Sequence, residues 1–143
     1  MKLKIDIENI NDKFNIEVKS INKIVELIFI HEKKEQGNIS IVFVDHTYIE
    51  ELNEKFLGRS YSTDVITFPL SEDCEESVEA EIYINLDIVA ENAVNYNVTF
   101  DEEVSRIVIH GVLHLLNYDD GDADSRNRMT QREDYYLKMM ADW

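Results

Sequence analysis

The sequence predicts an α+β (mixed α/β) fold, a small mixed sheet of about four strands packed with about five helices around a buried central helix. Strand-like alternation and helical periodicity both recur along the 143 residues, yet without strict strand–helix–strand order. No repeat, low-complexity stretch or linker divides the chain, so 1–143 reads as one domain. Hydrophobic residues at 44%, with four Gly and one Pro, are enough for a real core and lie far from a disordered composition.

The elements follow in order. Leu3, Ile5 and Ile7 alternate with Lys4 and Asp6, which predicts a half-buried first strand. Val18, Ile21, Val25 and Ile28 recur at helical spacing, predicting a helix over about 17–35 that ends near Gly37. Ile39 to Asp45 reads as a second strand, and Thr47 with Glu50 as a capping box opening a short helix to about Phe56. Val65–Leu70 is strand-like, and Pro69 at its end predicts an edge position. The acidic SEDCEESVE stretch reads as an exposed loop, followed by a strand at Ile82–Ile84 and a helix over about 86–96. Thr99 with Glu102 repeats the capping pattern and opens a helix over about 100–116, and a last helix covers roughly 125–141.

Thirty acidic against fourteen basic residues give a formal net charge of −16, a field that repels nucleic acids at long range. A nucleic-acid substrate therefore requires local positive charge. Lys55, Arg59, Arg106, Arg126, Arg128 and Arg132 are the candidates, and the same residues serve equally well as counter-charges for neighbouring carboxylates. Cys74 is the only cysteine, so no internal disulfide forms. Its acidic neighbours disfavour the thiolate, which argues against a nucleophilic role. With no signal-peptide pattern and no membrane-length apolar run, a cytoplasmic location is expected.

The segment EVSRIVIHGVLHLL, residues 103–116, is apolar nearly all round, which predicts burial on most of its circumference. Glu103, Arg106, His110, His114 and Asn117 nevertheless form one polar stripe. His110 and His114, one helical turn apart, can converge on a single ion, and zinc asks for about four ligands. Asn117 tolerates the left-handed conformation that ends helices, and a turn there returns the following residues towards the imidazoles. Asp120 then stands at the third position of H-x3-H-x5-D, like the last ligand of metzincins. Gly111 occupies the place of the general-base Glu of such peptidases, which argues against proteolysis. The bland alternative, that the pair are ordinary core polar residues, is made less attractive by the coincidence of apolar surround, turn residue and third ligand. Two His and one carboxylate also fit iron or manganese. The Asp119–Asp124 run fails as a calcium loop, with Ser125 and Gln131 where Gly and Glu are needed. Asp122 or Asp124 instead suits the cap of the last helix. His31 and His46 lack partner spacing and read as surface residues.

HGVLHLLNYDD, residues 110–120, resembles the YbeY family signature, H-G-x-L-H-L-x-G-Y-D-H. Leu52-Asn53, Arg59 and Thr63-Asp64-Val65-Ile66-Thr67-Phe68-Pro69 resemble a second family block, Asn…Arg…T-D-V-L-S-F-P. The resemblance implies a metal-dependent endoribonuclease acting in ribosomal RNA maturation and ribosome quality control, with ribosomal proteins as further partners. It implies His110 and His114 as the first two ligands of one zinc ion per chain, and Arg59 as a functional arginine contacting phosphate. Asp64 and Asp119 are expected to support the site. Asp120 replaces the family's third histidine, Asn117 its glycine, and Ala80-Glu81 a Gly-Asp pair. The other readings are a non-catalytic, metal-binding ribosome assembly factor and a metallohydrolase of small substrates.

Overall fold

The computed structural model describes residues 1–58, 62–70 and 77–143. Among them lie nine elements: β1 (Lys2–Asn9), α1 (Val18–His31), β2 (Gln36–Val44), α2 (His46–Leu57), β3 (Val65–Pro69), β4 (Val78–Asn85), α3 (Leu86–Asn95), α4 (Phe100–Leu115) and α5 (Ala123–Ala141). The four strands form one mixed sheet in the order β1-β2-β4-β3, as the α+β reading requires. β1, β2 and β4 run parallel, and β3 pairs antiparallel with β4, Val65 opposite Ile84. Pro69, which has no N–H to donate, sits on the edge strand as expected.

Period-2 alternation sorts the strand residues between two faces. Ile39, Ile41, Phe43, Ile82 and Ile84 join Ile24, Ile28 and Phe29 of α1 and Val108, Ile109 and Val112 of α4 in the main core. Val44 and Ile66 pack on Ile49 of α2 in a smaller cluster, with Val42, Phe68 and Tyr83 around it. The main core is what buries α4. Gly111 lets that helix lie close to the sheet, since a Cβ there would already meet Ile82 at 3.4 Å and Val65 at 3.7 Å.

Three boundaries differ from the sequence expectation, each for a local reason. α1 stops at His31 rather than near Gly37, because Lys33 takes a left-handed φ of 59° and the chain turns at once into β2. Gly37 therefore belongs to a strand, in register between Leu3 and Val78. The cap of α2 is Asp45, whose carboxylate accepts from the Tyr48 amide, rather than Thr47. β4 starts at Val78, so Glu79 belongs to the sheet and not to the acidic loop. Residues 71–76 of that loop, Cys74 included, lie outside the described residues. The Thr99 cap of α4 and the Asp122 cap of α5 are in place, accepting from Glu102 N and Ser125 N.

Candidate metal centre

α4 ends where Asn117 adopts φ 75°, the left-handed turn expected of it. The Tyr118 amide then donates back to the Leu113 carbonyl at 3.1 Å, closing the turn. The next residues run back along the helix. Asp119 accepts from the amides of Asp120 (2.7 Å) and Gly121 (3.1 Å), so its carboxylate braces its own loop. The result places Asp120 Oδ2 3.5 Å from His110 Nε2. The predicted return of the loop to the first imidazole is thus realised.

The two imidazoles lie nearly parallel, 11° between planes and 6.3 Å between centroids. Each is held by its Nδ1. His110 Nδ1 is 2.7 Å from Glu133 Oε2, and His114 Nδ1 is 3.1 Å from the Tyr118 carbonyl. A carbonyl accepts only, so the His114 Nδ1 contact is made by an Nδ1–H, and in that tautomer of the neutral ring Nε2 is the nitrogen free to bind an ion. The Glu133 carboxylate likewise holds a proton on His110 Nδ1. This is the arrangement in which histidines serve metals: one ring nitrogen hydrogen-bonded to an oxygen acceptor, the other available. The donor chemistry therefore fits a divalent ion. The spacing is wider than a closed site: among the described residues no three His, Cys, Asp or Glu side chains are gathered as a ready metal-ligand group. His110 and Asp120 are brought together, while exposed His114 stands one turn away with its ring turned to Tyr118.

The hydrogen bond from Glu133 raises the His110 pKa above its ordinary value; burial opposes this, and the charges of Glu133, Asp120 and Asp64 add to the rise. Asp64 is thus near enough to be felt. It is half-buried, and its backbone carbonyl accepts from Asn85 N at 2.9 Å. Arg106 forks between Glu133 (2.9 Å) and Asp134 (2.7 Å), and Arg132 is paired with Glu32 at 2.8 Å, so both act as counter-charges within the fold. Arg126 and Arg128 enter no ion pair among the described residues, and Arg128 lines a hollow of about 250 Å³ with Asn117, Tyr118 and Asp119. Arg59 lies outside the described residues.

Sequence reasoning missed Glu133, the carboxylate that grips His110. Its signal was present: Met129, Glu133 and Tyr136 recur at helical spacing on the buried side of α5, and a carboxylate there needs a partner. It also missed Glu32, whose carboxylate accepts from Tyr118 Oη (2.7 Å), Tyr136 Oη and the Arg132 guanidinium. That residue, at the C-terminal end of α1, anchors the loop after α4 through Tyr118. His46, read as a surface residue, is half-buried instead, with Nδ1 3.0 Å from Ser62 Oγ and 3.1 Å from Asn85 Nδ2.

Comparison with known proteins places the chain in a family. The family model described as Endoribonuclease YbeY matches residues 6–141. The Endoribonuclease YbeY of Chlorobium phaeovibrioides is 40% identical over 120 residues, 84% of this chain and 80% of that protein. That of Carboxydothermus hydrogenoformans is 32% identical over 137 residues, 94% of this chain and 96% of its own. The solution structure of TM1509 from Thermotoga maritima superposes with a TM-score of 0.69 at 32% identity, covering 95% of this chain and 88% of that one. With a match along nearly its whole length, the chain belongs to the YbeY endoribonuclease family.

Proposed function

We propose that this protein is a metal-dependent endoribonuclease that cuts ribosomal RNA during its maturation, in the cytoplasm. The observation that carries the metal half of the reading is the pair of stacked imidazoles on α4, each with Nδ1 held by an oxygen acceptor and Nε2 left for a ligand role. His110, His114 and Asp120 would hold one zinc ion. When bound, a divalent ion supplies Lewis-acid chemistry to a phosphodiester.

The remaining work falls to the chain itself. Asp119 keeps the Asp120 loop folded through two backbone amides. Asp64 adds negative charge that favours a cation beside His110. Arg59 would offer a guanidinium to phosphate oxygens, with Arg126 and Arg128 beside the ligand loop giving local attraction that an acidic protein otherwise lacks. Gly111 has no side chain where metallopeptidases carry their general-base Glu, and it packs towards Ile82 and Val65, which argues against peptide hydrolysis.

The test is metal content by elemental mass spectrometry together with cleavage of a ribosomal RNA fragment. Wild type should carry about one zinc per chain. His114→Ala and Asp120→Ala should lose metal and cleavage, and Arg59→Ala cleavage alone. A folded, metal-free wild type whose RNA cleavage is unchanged in all three variants would overturn the proposal.

A further inference from the structure

A second concave site opens at the opposite end of α4 from the imidazoles. It is a groove of about 480 Å³ between the start of α1, the start of α4 and the end of α5. Asp101 and His114 are thirteen residues apart on α4, about 20 Å at the helical rise. Ile21, Val104 and Leu137 give the groove an apolar floor, and Glu17, Asp101 and Glu102 stand on its rim.

Those three carboxylates are exposed, and among the described residues none enters an ion pair. Glu17 occupies the N-cap position of α1 without making a side-chain cap hydrogen bond. Asp101 and Glu102 complement the positive end of α4, which accounts for part of their placement but leaves their outer oxygens to solvent. Trp143, the only tryptophan, lines the same groove, is 44% exposed and carries Lys23 Nζ 4.2 Å from its ring centroid.

We propose that this groove docks a basic peptide segment of a partner protein, an apolar side chain entering between Ile21, Val104 and Leu137 and flanking Lys or Arg residues meeting Glu17, Asp101 and Glu102. Charge complementarity selects this occupant. Three carboxylates on one rim repel RNA phosphates, and a second copy of a chain with net charge −16 would bring like charge to the same rim. A cationic peptide satisfies both the rim and the floor. The inference does not depend on the metal reading, because the groove shares no residue with the imidazole end.

Trp143 emission reports occupancy. A short synthetic leucine–lysine peptide is titrated into the protein as purified at low and moderate salt, against its leucine–glutamate counterpart. Two triple variants make the same charge change: Glu17→Gln/Asp101→Asn/Glu102→Gln at the rim, and Glu50→Gln/Glu51→Gln/Glu54→Gln on α2. The basic peptide should shift Trp143 emission with salt-sensitive affinity, and the rim variant should bind it about tenfold more weakly, roughly 1.4 kcal/mol. The α2 variant should bind like wild type. Ser20→Phe, which fills the groove from a position outside the main core, should abolish the shift while melting as wild type does. Equal weakening in both triple variants would reduce the effect to net charge and overturn the proposal. So would unaltered binding in Ser20→Phe, an emission shift with a single-stranded RNA oligonucleotide instead of the peptide, or self-association in sedimentation that competes with it.

Discussion

Glu133 Oε2 stands 2.7 Å from His110 Nδ1, while the other oxygen of the same carboxylate accepts from Arg106 at 2.9 Å. α5 thereby fixes the orientation of an imidazole on α4 and turns its Nε2 towards Asp120. Glu133→Gln keeps the size of the side chain but removes the charge that holds the Nδ1 proton. Zinc affinity, read by competition with a chromophoric chelator, should fall about 10–100-fold, the usual cost of losing such a support. Arg106 retains Asp134, so the fold should survive. Unchanged affinity in a folded variant would leave Glu133 a merely structural partner.

Tyr118 links the Asp119–Gly121 loop to Glu32: its carbonyl accepts from His114, and its hydroxyl donates to the carboxylate at 2.7 Å. Tyr136 donates to the same carboxylate from α5 without touching the loop. Tyr118→Phe and Tyr136→Phe each delete one hydrogen bond to a charged group, a loss of about 1.5–3 kcal/mol. Both should melt earlier. Only Tyr118→Phe should also weaken metal binding and speed amide exchange at Asp120 and Gly121. Parallel losses of metal affinity in the two variants would show that the effect is general destabilisation.

Glu32 also sets an acid limb for stability. Burial alone would raise its pKa, but donors from Tyr136, Tyr118 and Arg132, with the Arg132 charge, outweigh that and hold the carboxyl below its ordinary 4.5. A carboxyl lowered on folding stabilises fully above the unfolded value and loses that contribution as pH falls through the folded one. The melting temperature should therefore decline below about pH 4.5, and the decline should be shallower in Glu32→Gln, which has no such proton to take up. The difference between the two proteins is the measurement, since the other acidic residues share the rest of the slope. Identical slopes would mean that Glu32 titrates normally.

The pattern of legibility has a physical cause. Periodicity and capping patterns placed an element at each of the four strands and five helices among the described residues, because alternation, the 3.6-residue repeat and caps are local properties. Asn117 and the return of Asp120 to His110 were legible for the same reason: a left-handed turn depends on one residue and its neighbours. Glu133 and Glu32 were not, because their partners lie 23 and 86 or more positions away and only tertiary packing brings them together. Of the three residues expected to converge, Asp120 lies at His110, while His114 is turned to Tyr118. Gly37 was misread as a helix stop because the same residue suits a helix end and a crowded strand, and the sequence alone does not show Phe29 above it.

That crowding makes a separate prediction. A Cβ on Gly37 would stand 2.6 Å from Cε2 of Phe29 and 3.0 Å from Cδ1 of Leu3. Phe29 is fully buried, so its ring could give way only by displacing packed neighbours. Gly37→Ala should cost about 1–3 kcal/mol by overpacking, although alanine otherwise suits a strand better than glycine. Shortening the obstructing ring should recover part of the loss, so Gly37→Ala/Phe29→Leu should be less destabilised than the sum of its two single changes. Gly58→Ala is the contrast: nothing lies within 4 Å of its Cβ position, and its φ of 65° is the only penalty. Phe29→Leu should therefore give Gly58→Ala no relief. Strict additivity in the Gly37 pair, measured by chemical denaturation, would show that the strand moves aside and that the close approach of α1 to β2 is not what requires glycine.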